Sequence, residues 1–458
     1  MAKQKSRFVC QNCGRTSPKA MGRCPSCHEF GTFVEEIMEP ASTGNNRRPA
    51  LAVRSPVRLS EVEKENYQRM TLPISELSRV LGGGIVPSSL VLLGGDPGIG
   101  KSTLLLQVAA LVAKEHGKVL YISGEESIQQ IRMRADRMGV TADNLFLVTE
   151  TRLAAILAHI EQENPTLVIV DSIQTTWTDE LKSAAGSVSQ VRECATRLQE
   201  VAKNSAVTIF LVGHVTKEGT IAGPRVLEHI VDTVLQLQGD PFHRFRLLRS
   251  IKNRFGATSE VGVFEMVQNG LIEVPNPSEA FLAERQINAS GSAIAVTMEG
   301  TRPLLVEIQA LASATTFANP RRTGNGVDYN RLLLLTAVLS RRVRLSMADR
   351  DVFVNVIGGL SIDEPAADLA VAMAIASSVR DRPVHADMVF VGEIGLSGEL
   401  RTVSQPEIRM REAHKLGFKR CVVPLAVGRQ KPEYPKGLKV IECRTLKDAL
   451  QSGLVPQD

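Results

Sequence analysis

Between residues 88 and 214, short apolar runs alternate with amphipathic stretches. SLVLLGG, KVLYISG, NLFLV, TLVIVDS and AVTIFLVGH are strand-sized and rich in Val, Ile and Leu. Between them stand STLLLQVAALVAKEHG, IQQIRMRADRMG, RLAAILAHIEQENP and VRECATRLQEVAKNS, whose apolar positions recur at helical spacing. This alternation predicts a mostly parallel sheet with helices on both faces, an α/β domain over residues 66–275. A pair of prolines in EVPNPSEA then marks a composition shift. Beyond it AIAVTMEG, RPLLVEIQALAS, the helix-like YNRLLLLTAVLSRR, the strand VFVNVIGG, the helix AADLAVAMAIASSVR and MVFVGEIGLSGELR outline a further domain over residues 280–458. Residues 35–65 hold Pro40, Pro49, Pro56 and Gly44 and few long apolar runs, so they read as a linker behind a small module of residues 1–34. No repeat of fixed period is present.

Composition narrows the class without changing this outline. A chain of 458 residues with 43% hydrophobic and 22% charged content is ordinary globular material. The longest apolar runs are far below bilayer length, so no membrane partner is expected. The start, MAKQKSRFVCQNCG, lacks the apolar core of a secretion signal, and the expected location is a reducing cytoplasm. Charge is unevenly spread. Residues 1–60 carry ten Lys/Arg against four Glu, whereas the rest is close to neutral. A cationic end suits a polyanion, and a solvated tail accounts for it equally well.

Four of the seven cysteines, Cys10, Cys13, Cys24 and Cys27, are spaced C-x2-C-x10-C-x2-C. Two thiolate pairs on tight knuckles supply the four sulfurs of a closed, structural Zn²⁺ site. Cys194, Cys421 and Cys443 read as small buried hydrophobes.

A second motif carries chemistry. Gly95, Asp96, Pro97, Gly98, Ile99, Gly100, Lys101 and Ser102 fit G-x4-G-K-[ST], with an apolar strand before and a helix-like stretch from Thr103 after. In such a loop backbone N–H groups and the helix N-terminus cradle the phosphates of ATP, Lys101 neutralises them, and Ser102 holds Mg²⁺. Asp171, at the end of LVIVD, lies on the same edge of a parallel sheet and would complete the Mg²⁺ shell. Glu125 and Glu126 follow the strand in KVLYISGEES, and Glu125 is the candidate for orienting the attacking water. Either acid also suits the first turn of a helix. Residues 241–256 hold Arg244, Arg246, Arg249, Lys252 and Arg254 without an acid, which points to an external anion or to a solvated basic face.

LGGGIVPSSLVLLGGDPGIGKSTLLLQ resembles the core of RecA-type recombinases and replicative helicases. With the four-cysteine finger before it and KNRFG at residues 252–256 after it, the whole chain is similar to the bacterial RadA, or Sms, family. That resemblance implies a RecA-like P-loop core, a small N-terminal zinc finger and a C-terminal Lon-protease-like α/β domain. It implies a DNA-dependent ATPase of recombinational repair, working as a hexameric homo-oligomeric ring with the RecA recombinase. Its DNA partners would be single strands and branched recombination intermediates, and its work branch migration. Glu125 falls at the family's water-activating glutamate. Lys252 and Arg254 would reach the γ-phosphate bound to a neighbouring subunit. GHVTKEGTIAGPR would be a DNA-contacting loop, with Lys217 and Arg225 as phosphate ligands and His214 as a sensor of nucleotide state.

Residues from 280 onward resemble the proteolytic domain of Lon-type proteases, which carry a Ser nucleophile and a Lys base. Here Ala366 stands at the serine position and, by ungapped alignment, Glu407 at the lysine position, so that dyad is expected to be absent. Seven arginines between residues 320 and 350, against Asp328 and Asp349, suit either duplex DNA or a solvated helix face. Three functions compete at this point: a DNA motor, an ATP-dependent protease, and a switch that uses nucleotide only to control assembly.

Overall fold

The computed structural model describes residues 5–10, 15–26, 28–38, 58, 68–213, 226–239, 244–315, 319–426 and 432–456. They divide into two compact units. The first holds residues up to 238 together with 248–258 and 266–271; the second holds 239–247, 259–265 and everything from 272 onward.

At the start of the first unit, β1 (Lys5–Cys10), β2 (Thr16–Ser17) and β3 (Phe33–Met38) pair antiparallel in the order β2-β1-β3. The rest alternates as the apolar pattern predicts: α1 (Ser75–Leu81), β4 (Leu90–Gly95), α2 (Lys101–Glu115), β5 (Val119–Ser123), α3 (Ile128–Arg137), β6 (Leu145–Thr149), α4 (Leu153–Glu163), β7 (Leu167–Asp171), α5 (Val188–Asn204), β8 (Thr208–Val212), α6 (Val226–Ile230) and β9 (Thr233–Gln238). The strands β9-β4-β8-β7-β5-β6 are neighbours in that order and all parallel. Three more strands, β10 (Phe245–Asn253), β11 (Val261–Val267) and β12 (Gly270–Glu273), continue the sheet beyond β9, with their residues shared between the units.

Strands β4, β5, β7 and β8 are buried at every position, because helices cover both faces. Leu90, Ile122, Val170 and Leu211 pack on one face against Ile156, Val191 and Leu198 of the covering helices. Helix α3 starts where Ser127 and Gln130 exchange side-chain and backbone hydrogen bonds, at 3.3 and 2.8 Å.

The second unit contains α7 (Pro277–Leu282), β13 (Ser292–Glu299), β14 (Arg302–Ala314), β15 (Arg322–Asn325), α8 (Tyr329–Val343), β16 (Arg350–Val356), α9 (Asp368–Arg380), β17 (Met388–Phe390), β18 (Glu393–Ile394), β19 (Leu400–Arg401), α10 (Pro406–Lys415), β20 (Arg420–Pro424), β21 (Lys439–Cys443) and α11 (Leu446–Gly453), with a 3-10 turn at Pro365–Ala367. Its seven-stranded sheet runs β15-β16-β14-β13-β17-β20-β21. Alternation sends Ala295, Val306, Ile308 and Val354 to a face covered by α8, α9 and α11, and Ile294, Val296 and Leu305 to one covered by Met410 and Ala413 of α10. Phe245, Leu247, Val261 and Val263 belong to this unit's core. No helix of the described residues is long and apolar enough to cross a membrane.

Candidate functional site

Because β4, β5, β7 and β8 run parallel, their carboxyl ends share one edge of the sheet. Leu93 pairs with Val212, Val170 with Leu211, and Ser123 with Asp171. The glycine-rich loop leaves β4 at that edge and enters α2 at Lys101. Its conformation requires glycine: Gly98 adopts φ +75°, and a Cβ on Gly95 would lie 2.6 Å from the carbonyl oxygen of Leu237. Lys101 is buried and donates from Nζ to the carbonyls of Gly95 (2.8 Å) and Asp96 (2.9 Å). Burial pulls its ammonium below the usual lysine range, and the charges of Asp171, Glu125 and Asp96 oppose that fall. One cation and three carboxylates therefore share this edge. Ser102 in the first turn of α2 and Asp171 at the end of β7 carry oxygen donors of the kind Mg²⁺ takes, and the N-terminus of α2 is of the kind that takes phosphate.

The two adjacent glutamates separate cleanly. Glu126 donates its N–H to Ser123 Oγ at 2.9 Å and pairs its carboxylate with Arg134 of α3. Glu125 instead accepts at Oε1 from Ser172 Oγ, 2.5 Å away, immediately after Asp171. Asp171 accepts at Oδ2 from the hydroxyl of Tyr121, at 2.6 Å and fully buried. Burial first, and then the charge and hydrogen bond of Asp171, raise that phenol well above its usual value. Neither Tyr121 nor Ser172 is apparent from the sequence pattern, since a tyrosine inside VLYIS reads as core. The one available signal is a polar atom inside an otherwise apolar buried strand, which must find a partner.

The basic segment is corrected in one respect. The lack of an acid within residues 241–256 does not leave its cations uncompensated, because partners come from elsewhere. Arg254 pairs with Asp232 at 3.1 Å, and Lys252 donates to the carbonyls of Glu228 (2.6 Å) and Val231 (2.9 Å). Arg244 lies 3.6 Å from both Glu265 and Glu284. Asp232 is buried, and it also accepts from the N–H of Leu90 (3.0 Å) and from Lys203 Nζ (2.7 Å).

In the amino-terminal module Cys10 and Cys24 are completely buried and not in disulfides. Each begins a closed turn, with Cys10 N–H donating to Arg15 O at 2.9 Å and Cys24 N–H to Glu29 O at 2.8 Å. Two buried thiols on two knuckles fit half of a tetrahedral Zn²⁺ set. Cys13 and Cys27 lie outside the described residues, as do His214, Lys217 and Arg225.

In the second unit Ala366 is buried in the 3-10 turn. Two residues before it, Glu364 pairs with Arg409 of α10, which is 0% exposed and also donates to Val296 O (2.7 Å) and Ser404 O (2.9 Å). Glu407 accepts instead from the N–H of Glu433 at 2.9 Å. The arginine-rich stretch is partly spent on internal bonds. Arg331 pairs with Asp368, and Arg322 donates to the carbonyls of Met347, Arg321 and Arg350.

The chain is similar to known proteins over nearly its whole length. The AAA domain family matches residues 55–220, the Rubredoxin metal binding domain family residues 8–35, and the family described as Subunit ChlI of Mg-chelatase residues 335–426. The chain is 52% identical over 459 residues to DNA repair protein RadA of Bacillus subtilis (strain 168), covering 99% of this chain and 100% of that protein. It is 50% identical over 454 residues to DNA repair protein RadA of Halalkalibacterium halodurans, covering 98% and 99%. A crystal structure of the KaiC-like protein PH0186 from Pyrococcus horikoshii OT3 aligns with 46% of this chain and 100% of its own, at 22% identity and a TM-score of 0.39.

Proposed function

The chain belongs to the RadA family of DNA repair proteins, and from that premise we propose that it is a DNA-dependent ATPase of homologous recombination, a ring-shaped motor that promotes branch migration together with the RecA recombinase. The carrying observation is the shared sheet edge on which Lys101, Asp171 and Glu125 meet the glycine-rich loop. The carbonyls of Gly95 and Asp96 hold Lys101 where phosphate oxygens would take their place. Residues 95–103 bind the nucleotide. Ser102 and Asp171 would hold Mg²⁺, which when bound supplies charge to offset that of the phosphates. Glu125 orients the water and receives its proton.

Lys252 and Arg254 act on the nucleotide of a neighbouring copy, for which their side chains exchange Asp232 and the carbonyls of Glu228 and Val231 for phosphate oxygens. Lys217 and Arg225 contact DNA phosphates, and Cys10, Cys13, Cys24 and Cys27 hold zinc. The Lon-like region is a scaffold without peptidase activity, because the methyl group of Ala366 has no nucleophilic atom. ATP-dependent cleavage of casein would overturn that last assignment.

The test is ATP hydrolysis with and without single-stranded DNA over a salt series, beside Lys101→Ala. Stimulation by DNA that weakens as salt rises, and loss of hydrolysis and branch migration in Lys101→Ala with DNA binding kept, are the expected results. Hydrolysis indifferent to every DNA would replace the motor with a nucleotide switch.

A further inference from the structure

Each of the two site acids carries one hydroxyl donor, and the two donors come from different places in the fold. Tyr121 lies opposite Ile169 in the β5–β7 pairing, so Asp171, two residues further on, is its diagonal neighbour. That separation is within reach of an aromatic side chain. Its phenol donates to Oδ2 of Asp171 at 2.6 Å with Tyr121 wholly buried. Ser172 is buried as well, and its Oγ donates to Oε1 of Glu125 at 2.5 Å.

Ser172 is itself fixed. Its carbonyl accepts from Thr175 Oγ1 (2.8 Å) and Thr176 Oγ1 (3.2 Å). A Cβ on Gly124, the residue before Glu125, would lie 2.1 Å from Thr175 Oγ1, so the backbone carrying Glu125 is pressed against the same small cluster. Glu125 is solvent-exposed, and a long exposed side chain spends most of its time away from any one rotamer. A short hydrogen bond from a rigid, buried hydroxyl opposes that freedom, because bonds to charged acceptors are the strong ones.

We propose that Tyr121 and Ser172 are positioning residues with divided duties: Tyr121 orients Asp171 toward the magnesium–nucleotide complex, and Ser172 holds Glu125 on the attacking water. This rests on the proposed roles of Asp171 and Glu125. Two changes test it in the full-length protein, Tyr121→Phe and Ser172→Ala, each removing a single oxygen. The readouts are binding of a fluorescent ADP with and without Mg²⁺, binding of ADP–aluminium fluoride, steady-state kcat and KM, and the thermal midpoint.

Tyr121→Phe should lower the gain in ADP affinity that Mg²⁺ brings by about tenfold, leaving Mg²⁺-free affinity unchanged. Ser172→Ala should keep ADP affinity and KM, lower kcat by about tenfold or more, and weaken ADP–aluminium fluoride in proportion. Ser172→Thr, which keeps a hydroxyl, should restore turnover. Equal loss in the alanine and threonine variants would mark a packing role and overturn the assignment of Ser172. Loss of Mg²⁺-free binding in Tyr121→Phe would do the same for Tyr121. Glu125→Gln, run in parallel, separates the two levels of the argument. Turnover retained there overturns the role of Glu125 itself, and turnover lost there but kept in Ser172→Ala overturns only the positioning role.

Discussion

Asp232 shows what a single residue contributes and how little of it the sequence declares. Its carboxylate joins the N–H of Leu90 on β4, Lys203 of α5 and Arg254 of the basic segment, so three distant stretches meet on one buried side chain. Replacing it with alanine orphans a buried N–H and releases two cations that are about half exposed. We expect Asp232→Ala to cost about 2 kcal/mol, measured by urea unfolding, and to free Arg254. An unchanged denaturation midpoint would show that Asp232 is dispensable. The nucleotide loop was legible because its meaning is local: Gly95 to Ser102 are consecutive, and glycine announces the backbone it needs. The bond from Tyr121 to Asp171 spans 50 residues and joins two neighbouring strands, and no local pattern encodes it. The sequence singles out Glu125 over Glu126, but the partners that distinguish them, Arg134 beside Glu126 and Ser172 beside Glu125, come only from the fold.

Among elements, the strands and helices of the first unit follow the apolar alternation closely, since β4, β5, β7 and β8 are buried on both faces and so are written as continuous Val/Ile/Leu runs. What holds α10 to its sheet was not visible. Arg409 is completely buried, joining Glu364, Ser404 and Val296 of β13, although an arginine in a charged helix reads as surface. Arg409→Ala should destabilise the second unit by about 3 kcal/mol, because Glu364 loses its counter-charge and keeps only the donors Thr297 and Met298; chemical denaturation followed by circular dichroism reports it. Strand β20 is tied down by a different pair. The hydrogen bond from Arg420, and after it that residue's charge, hold Asp387 below the ordinary carboxylate value of 3.8. The folded form of such a group binds its proton less readily than the unfolded one, so its contribution is present above 3.8 and fades as pH falls through the lowered value. Asp387→Asn should therefore be less stable than wild type at pH 7, with the gap closing in strong acid. A gap independent of pH would remove the ion pair as its cause.

For the molecule as a whole, zinc and chain connectivity give separate expectations. Metal analysis should find one zinc per chain, and Cys24→Ser should lose it; full zinc content in that variant would exclude the four-sulfur site. The connectivity follows from the two units, between which the chain passes at residues 238–239, 247–248, 258–259, 265–266 and 271–272. A fragment ending at residue 275 would carry Phe245, Leu247, Val261 and Val263 away from the core they fill in the second unit, and we expect it to aggregate where the full chain does not. A monodisperse fragment in light scattering would contradict this. Heredity is constrained in the same way. A gene that encodes interleaved units cannot trade one of them through a single crossover, because any breakpoint between residues 239 and 271 splits both, and one placed outside that interval carries strands of the wrong partner. A single crossover is thus closed as a route for exchanging these two units, and substitutions that arise in either are tested in the company of the other.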